Sequence, residues 1–148
     1  MPLLNYTTEI PAIKSAMEIE YSLIQHGVKS VLKDFDDDGH IESMSFILPG
    51  RYGAMPVRLP VNTAPVLAIL ERQRRRNSKV KATADQAERV AFRILKDWVE
   101  AQMAILETGM VSIEQVFLPY ITNAGGQTLY EVMESRQFML ASGMEGDR

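Results

Sequence analysis

The chain has 148 residues, of which 46% are hydrophobic, so it can form one core of common domain size and does not resemble a disordered chain. It has no cysteine and a formal net charge of −3, which argues against a disulfide-stabilised secreted domain and against attraction of the whole surface to nucleic acid. The amino terminus lacks a signal-peptide pattern, and no apolar run is long enough for a membrane span. We therefore expect one cytoplasmic domain over residues 1–148, with a frayed tail from about residue 142.

The first predicted element is a helix over about 13–26, which ends before Gly27. Apolar residues recur along it at helical spacing. The expected buried face is a four-residue stripe of Ile13, Met17, Tyr21 and Ile24. This face is widened by Ala16, Ile19 and Leu23.

Three strands are predicted next, over 28–35, 41–48 and 55–59. The Asp-Gly pair at 38–39 favours a tight hairpin between the first two strands. Pro56 lies inside the third strand, and a proline cannot donate a ladder hydrogen bond, so this strand is expected at an edge of the sheet.

Four helices are predicted in the second half of the chain. Their caps are Asn62 or Thr63, Thr83 with Gln86, Ser112 with Gln115, and Thr128 with Glu131. The first of these helices ends in a run of basic residues, and the second spans about 84–108. The order predicts an α+β fold: a three-stranded antiparallel meander with helices packed on one face, followed by two short carboxyl-terminal helices.

The helix predicted over 84–108 carries apolar residues on more than one side. It is either the central helix of the core, which is the favoured interpretation, or a helix that is partly buried by a second subunit. In the second case Phe92, Trp98 and Met103 are the candidate interface residues. We predict a homo-oligomer, most simply a two-fold dimer, to which this helix contributes.

A cluster of basic residues is the main functional signal. Six of the sixteen basic residues fall within ten positions, at Arg72, Arg74, Arg75, Arg76, Lys79 and Lys81. Guanidinium and ammonium groups bind phosphate oxygens, and the helix that begins after Thr83 would point free N–H groups toward an anion held there. The alternative is a solvated loop whose cations simply complement the carboxyl end of the preceding helix.

Other motifs carry less weight. The pattern Asp34-x-Asp36-x-Asp38-Gly39 resembles the start of a calcium loop, but Ser45 stands where a bidentate glutamate is required, so a hairpin turn is favoured. The two histidines have no second ligand at metal-binding spacing, and we expect neither a metal nor a cofactor. Three tyrosines are candidates for stacking on a base: Tyr52, Tyr120 and Tyr130.

Several segments show a family resemblance. They are 88–102 (ERVAFRILKDWVEAQ), 5–10 (NYTTEI), 117–120 (FLPY) and 128–131 (TLYE). Together they resemble a family of small, uncharacterised proteins of phages, prophages and mobile elements. The resemblance implies a gene product that acts inside a bacterial host cell, and it assigns no functional residue.

The sequence is compatible with three functions. The leading one is a non-enzymatic accessory protein that binds a phosphate-bearing ligand, either a nucleotide signal or a nucleic acid, at the basic cluster and thereby counters a host defence. The second is an inhibitor or adaptor that binds a host protein. The third is an enzyme, which is less favoured because no phosphate loop, nucleophile elbow or metalloprotease motif is present in the sequence.

Overall fold

The protein is described here over residues 2–140 of a computed structural model. One helix and three strands are followed by four helices and a single 3₁₀ turn. The elements are α1 (Ala12–Gln25), β1 (Ser30–Phe35), β2 (Ile41–Gly50), β3 (Gly53–Arg58), α2 (Ala64–Arg76), α3 (Ala84–Glu107), α4 (Ile113–Phe117), the 3₁₀ turn (Leu118–Tyr120) and α5 (Leu129–Ser135). The predicted α+β class and order of elements are confirmed, whereas the frayed tail predicted from residue 142 lies outside the described residues. Each helix within 2–140 is too short or too polar to cross a bilayer.

The three strands form an antiparallel sheet in the order β1-β2-β3, which confirms the predicted meander. β1 pairs regularly with β2 from Ser30 to Asp34, after which a bulge shifts the register. β3 carries Pro56 at the other edge of the sheet, as predicted. A segment after α4 covers part of that edge, because the Thr122 N–H donates to the Pro56 carbonyl at 2.9 Å.

The core lies on one face of the sheet, beneath α1 and α3. Alternate residues of β2, among them Met44, Phe46 and Leu48, are buried there. Phe117 of α4 joins this core and makes an edge-to-face contact with Phe46, with ring centroids 5.1 Å apart. The opposite face of the sheet remains open, since Leu32 is 58% exposed.

The predicted buried face of α1 is confirmed for Ala16, Ile19 and Leu23 but is wrong for its central stripe. Its four-residue stripe of Ile13, Met17, Tyr21 and Ile24 (the α1 stripe) is 44–64% exposed. The helix instead buries the neighbouring face of Ala12, Ser15, Ala16, Ile19 and Leu23. The small side chains in this set allow α1 to approach α3 closely, where Arg93 donates to Ser15 Oγ at 3.2 Å and to Glu18 at 2.9 Å.

Helix α3 is the central helix of the fold. Phe92 and Met103 are 0% and 4% exposed, so their side chains are not available to a second subunit, and their assignment to an interface is corrected. They are buried because they belong to the core cluster that α3 shares with α1, β2 and α4. Trp98 is partly buried and contacts Phe117 and Tyr120 through edge-to-face geometry.

Candidate functional site

The basic cluster occupies the last turns of α2 and the loop that leads to α3. Helical spacing places Arg72, Arg75 and Arg76 on one face of α2. The three arginines line an open groove of about 570 Å³, which we call the arginine groove. Pro2 and Tyr6 of the amino-terminal segment form its opposite wall.

A second groove adjoins the first. Lys79 and Lys81 line it together with Thr7, Thr8 and Glu9, and its volume is about 330 Å³. The two grooves share Tyr6, Asn77 and Val80 in their walls. We call this second depression the lysine groove. Five of the six predicted cations therefore line two adjoining grooves between the amino-terminal segment and the α2–α3 connection.

Arg74 has a different role from its neighbours. Its guanidinium donates to the Val80 carbonyl at 2.8 Å, which ties the end of α2 to the loop that follows. The Val80 side chain is 5% exposed and packs with Leu70 and Val90 in a small core beneath the loop. Arg74 thus stabilises the scaffold that presents the other five cations.

The amino-terminal wall is fixed in place by Gln86, which is 2% exposed. Its amide nitrogen donates to the carbonyls of Tyr6 and Thr8, each at 3.0 Å, and its amide oxygen accepts from Arg89 at 2.9 Å. One of the two hydrogen bonds of the predicted capping box is present: Thr83 Oγ1 accepts from the Gln86 backbone N–H at 3.1 Å. The Gln86 side chain does not complete a capping box, because it binds the amino-terminal segment instead.

The cations of the two grooves have no carboxylate partner among the residues that the structure describes. Within residues 2–140, none of the six cluster cations lies within 4.0 Å of a carboxylate oxygen, whereas Arg93 and Lys96 both form such pairs. Glu9 is the one acidic residue that lines either groove. The carboxyl end of α2 favours cations at this position, but it leaves their capacity to bind an external anion intact.

The amino terminus of α3 contributes less than predicted. Thr83 caps it, and Asp85 already places a carboxylate in the first turn. This carboxylate complements the positive end of the helix dipole and disfavours a second anion there. The attraction of the site for phosphate therefore rests on the cluster side chains.

The hairpin turn between β1 and β2 gathers Asp36, Asp38 and His40 within 4.8 Å of one another. Asp36 Oδ1 accepts from the backbone N–H groups of Asp38 and His40, both at 2.9 Å. His40 Nε2 is bonded to the Asp85 carboxylate at 2.7 Å, which ties the turn to α3. These hydrogen bonds account for the proximity of the three side chains, because they stabilise the hairpin turn that the sequence predicts.

Two ionisable groups of this turn have shifted pKa values. The hydrogen bond that His40 donates to the Asp85 carboxylate raises the pKa of His40 above its usual value of 6.5, and the charges of Glu88 and Asp36 act in the same direction. The backbone N–H of His40 lowers the pKa of Asp36 below 3.8. The pairing of His40 with Asp85 was not predicted, since 45 residues separate them in the sequence.

The three tyrosines proposed for base stacking do not line either groove. Tyr52 is 92% exposed in the β2–β3 turn, beneath the Arg51 guanidinium. Tyr120 packs against Trp98, and Tyr130 packs against Phe138. Tyr6 is the aromatic residue that lies in both groove walls. Sequence reasoning missed it because its neighbours on α2 lie more than 60 residues away.

Comparison of the chain with protein-family models, with curated proteins and with solved structures found no match.

Proposed function

We propose that this protein is a non-enzymatic binding protein that holds a phosphate-bearing ligand in the arginine and lysine grooves. The observation that supports the proposal is five cations that line two adjoining grooves, without an acidic partner within 4.0 Å among residues 2–140. Arginine binds phosphate oxygens bidentately, and lysine binds them as a point charge. The ligand we expect therefore carries more than one phosphate.

The shape of the two grooves favours nucleic acid over a free nucleotide. The cations follow two adjoining open grooves and do not converge on one enclosed pocket. A strand of nucleic acid presents successive phosphates along such a path, and its affinity comes largely from them. Tyr6, in the shared wall, offers an aromatic ring on which a base can stack.

The proposed context is a phage or mobile element inside a bacterial cell. In that context, sequestering a nucleic acid or a nucleotide signal would act against a host defence that depends on it. The competing proposals are an adaptor that binds a host protein and an enzyme that acts on the same ligand. Product formation during incubation with nucleotides and nucleic acids would favour the enzyme.

The test is binding of fluorescent single- and double-stranded oligonucleotides by anisotropy over a series of salt concentrations. The Arg72→Ala/Arg75→Ala/Arg76→Ala variant should bind at least about tenfold more weakly. The magnitude of its log–log salt slope should fall by about 2 for single strands and by about 2.7 for duplexes, since three phosphate contacts are lost. A thermal shift with mononucleotides, in the absence of oligonucleotide binding, would identify the nucleotide-signal version of the proposal.

The matched control changes net charge equally at three exposed cations outside the grooves. The Lys14→Ala/Arg51→Ala/Arg136→Ala variant should retain the affinity and salt slope of the parent protein. Equal losses of oligonucleotide affinity in the two variants would show that binding depends on net charge alone and not on the grooves. Unchanged binding in the groove variant would exclude this site.

A further inference from the structure

The outer edge of β1 is open. Within residues 2–140, no segment pairs with the side of β1 that faces away from β2. The opposite edge of the sheet, on β3, is partly covered by Ile121 and Thr122. An uncovered edge strand presents free backbone donors and acceptors, which pair readily with another strand.

The α1 stripe lies on the same side of the molecule as this edge. Glu20 of α1 is bonded to Lys33 of β1 at 3.2 Å, whereas Ser15 and Glu18 face Arg93 of α3. At about 100° per residue, Ile13, Met17 and Ile24 lie within about 60° of Glu20 on the helix surface, and the stripe as a whole is roughly opposite Ser15. The stripe therefore points away from the core, and its Glu20 side borders the β1 edge.

The α1 stripe is a contiguous exposed apolar surface. Ile13, Met17, Tyr21 and Ile24 follow one another at helical spacing and are 44–64% exposed. From Ile13 to Ile24 the stripe extends about 17 Å along the helix. Contiguous apolar surface of this kind, next to an open strand edge, marks an interaction surface more often than scattered single residues do.

We propose that a second copy of this chain covers this surface, with the two β1 strands paired antiparallel about a two-fold axis at Leu32 and the two α1 stripes in contact across it. The regular part of β1 runs from Ser30 to Asp34 before the bulge, and Leu32 is its centre. Two-fold pairing there uses the whole regular segment and joins two three-stranded sheets into one of six strands.

Avoidance of like-charge contacts selects this register among the possible two-fold pairings. With Leu32 opposite the partner's Leu32, Ser30 faces the partner's Asp34 and Val31 faces the partner's Lys33. The register between the two β1 strands can shift only in steps of two residues if the core-facing sides of the two sheets are to remain on the same side. One such step places Lys33 opposite the partner's Lys29, and the opposite step places Lys33 opposite the partner's Lys33. Both alternatives bring like charges together across the strands, which is unfavourable.

The proposal is independent of the ligand proposed above and predicts a dimer in the absence of any ligand. Sedimentation at micromolar concentration should give the mass of two chains. Met17→Glu should raise the dimer dissociation constant at least about tenfold, because each subunit would carry a charge into the apolar contact. Met110→Glu is the matched control, since Met110 is also exposed, at 69%, and lies outside the surface.

Crosslinking tests the register, because the chain has no cysteine of its own. Leu32→Cys should form a disulfide-linked dimer readily under mild oxidation, since the two introduced thiols meet at the axis. Ser30→Cys should crosslink much more slowly, because its two copies stand about 13 Å apart along the strands. A monomer at micromolar concentration would overturn the proposal. A dimer that Met17→Glu leaves intact, or equal crosslinking at both positions, would also overturn it.

Discussion

At the scale of single residues, His40 makes stability depend on pH. Its pKa is raised by Asp85 in the folded protein, so the contribution of this pair is complete below the usual histidine pKa and is lost as pH rises through the raised value. We expect the free energy of unfolding to fall as pH rises from the usual histidine value of 6.5 through the raised pKa of His40. Chemical denaturation across this range, together with NMR titration of the His40 ring, measures the effect.

Two substitutions test whether the His40–Asp85 pair causes this pH dependence of the free energy of unfolding. His40→Gln should flatten stability over the same pH range, and Asp85→Asn should lower the pKa of His40 toward its usual value. The lowered pKa of Asp36 acts at the acidic end, where its contribution is present above pH 3.8 and is lost as pH falls below it. An unchanged His40 titration in Asp85→Asn would contradict the assignment.

Gln86 is the second residue with a specific prediction. Gln86→Glu keeps the size of the side chain and its acceptor toward Arg89 but removes the donors to Tyr6 and Thr8. We expect a loss of about 1–3 kcal/mol, because buried carbonyls lose their partners, and faster proteolysis of the amino-terminal segment. Gln25→Glu on the exposed surface of α1 is the control. A Gln86→Glu variant with parent stability would show that the amino-terminal wall does not depend on this side chain.

At the scale of elements, the sequence predicted what local chemistry determines. The turn at Asp38-Gly39, the caps at Thr83, Ser112 and Thr128, and the edge position of Pro56 depend on neighbouring residues, and all are found in the structure. Burial of Ala16, Ile19 and Leu23 on α1 was predicted correctly, whereas burial of the α1 stripe was not. Two apolar faces overlap on that helix, and packing against α3 and the sheet buries only one of them.

The candidate site, too, could be predicted only where its residues are close together in the sequence. The basic cluster is contiguous in the sequence and could be found there. Its opposite wall, around Tyr6, could not, because it is brought to α2 by the distant contacts of Gln86. The central position of α3 was among the interpretations that the sequence allowed, and burial of Phe92 selects it.

Substitutions of two neighbouring arginines of α2 should have different effects, one on stability and the other on oligonucleotide binding. Arg74→Ala removes the bond to the Val80 carbonyl and should cost about 1 kcal/mol, the usual net value of one hydrogen bond. Arg75→Ala removes only a groove-lining cation and should change stability by less than about 0.5 kcal/mol, while it weakens oligonucleotide binding. Denaturation and anisotropy measurements on both variants test this, and the reverse pattern would contradict the assigned roles.

At the scale of the whole molecule, the proposed dimer and the proposed ligand lead to a joint prediction. A two-fold dimer carries two basic clusters, so a long single strand that reaches both should bind more tightly through effective concentration. We expect the parent protein to bind a strand of about 40 nucleotides at least about tenfold more tightly than the Met17→Glu variant does. A strand of about 8 nucleotides, which reaches one cluster, should bind both proteins equally. Met110→Glu carries the same added charge and should behave as the parent protein does at both lengths. Equal affinities of the parent protein and Met17→Glu for the long strand, with Met17→Glu shown to be monomeric, would mean that the two clusters do not engage one strand together.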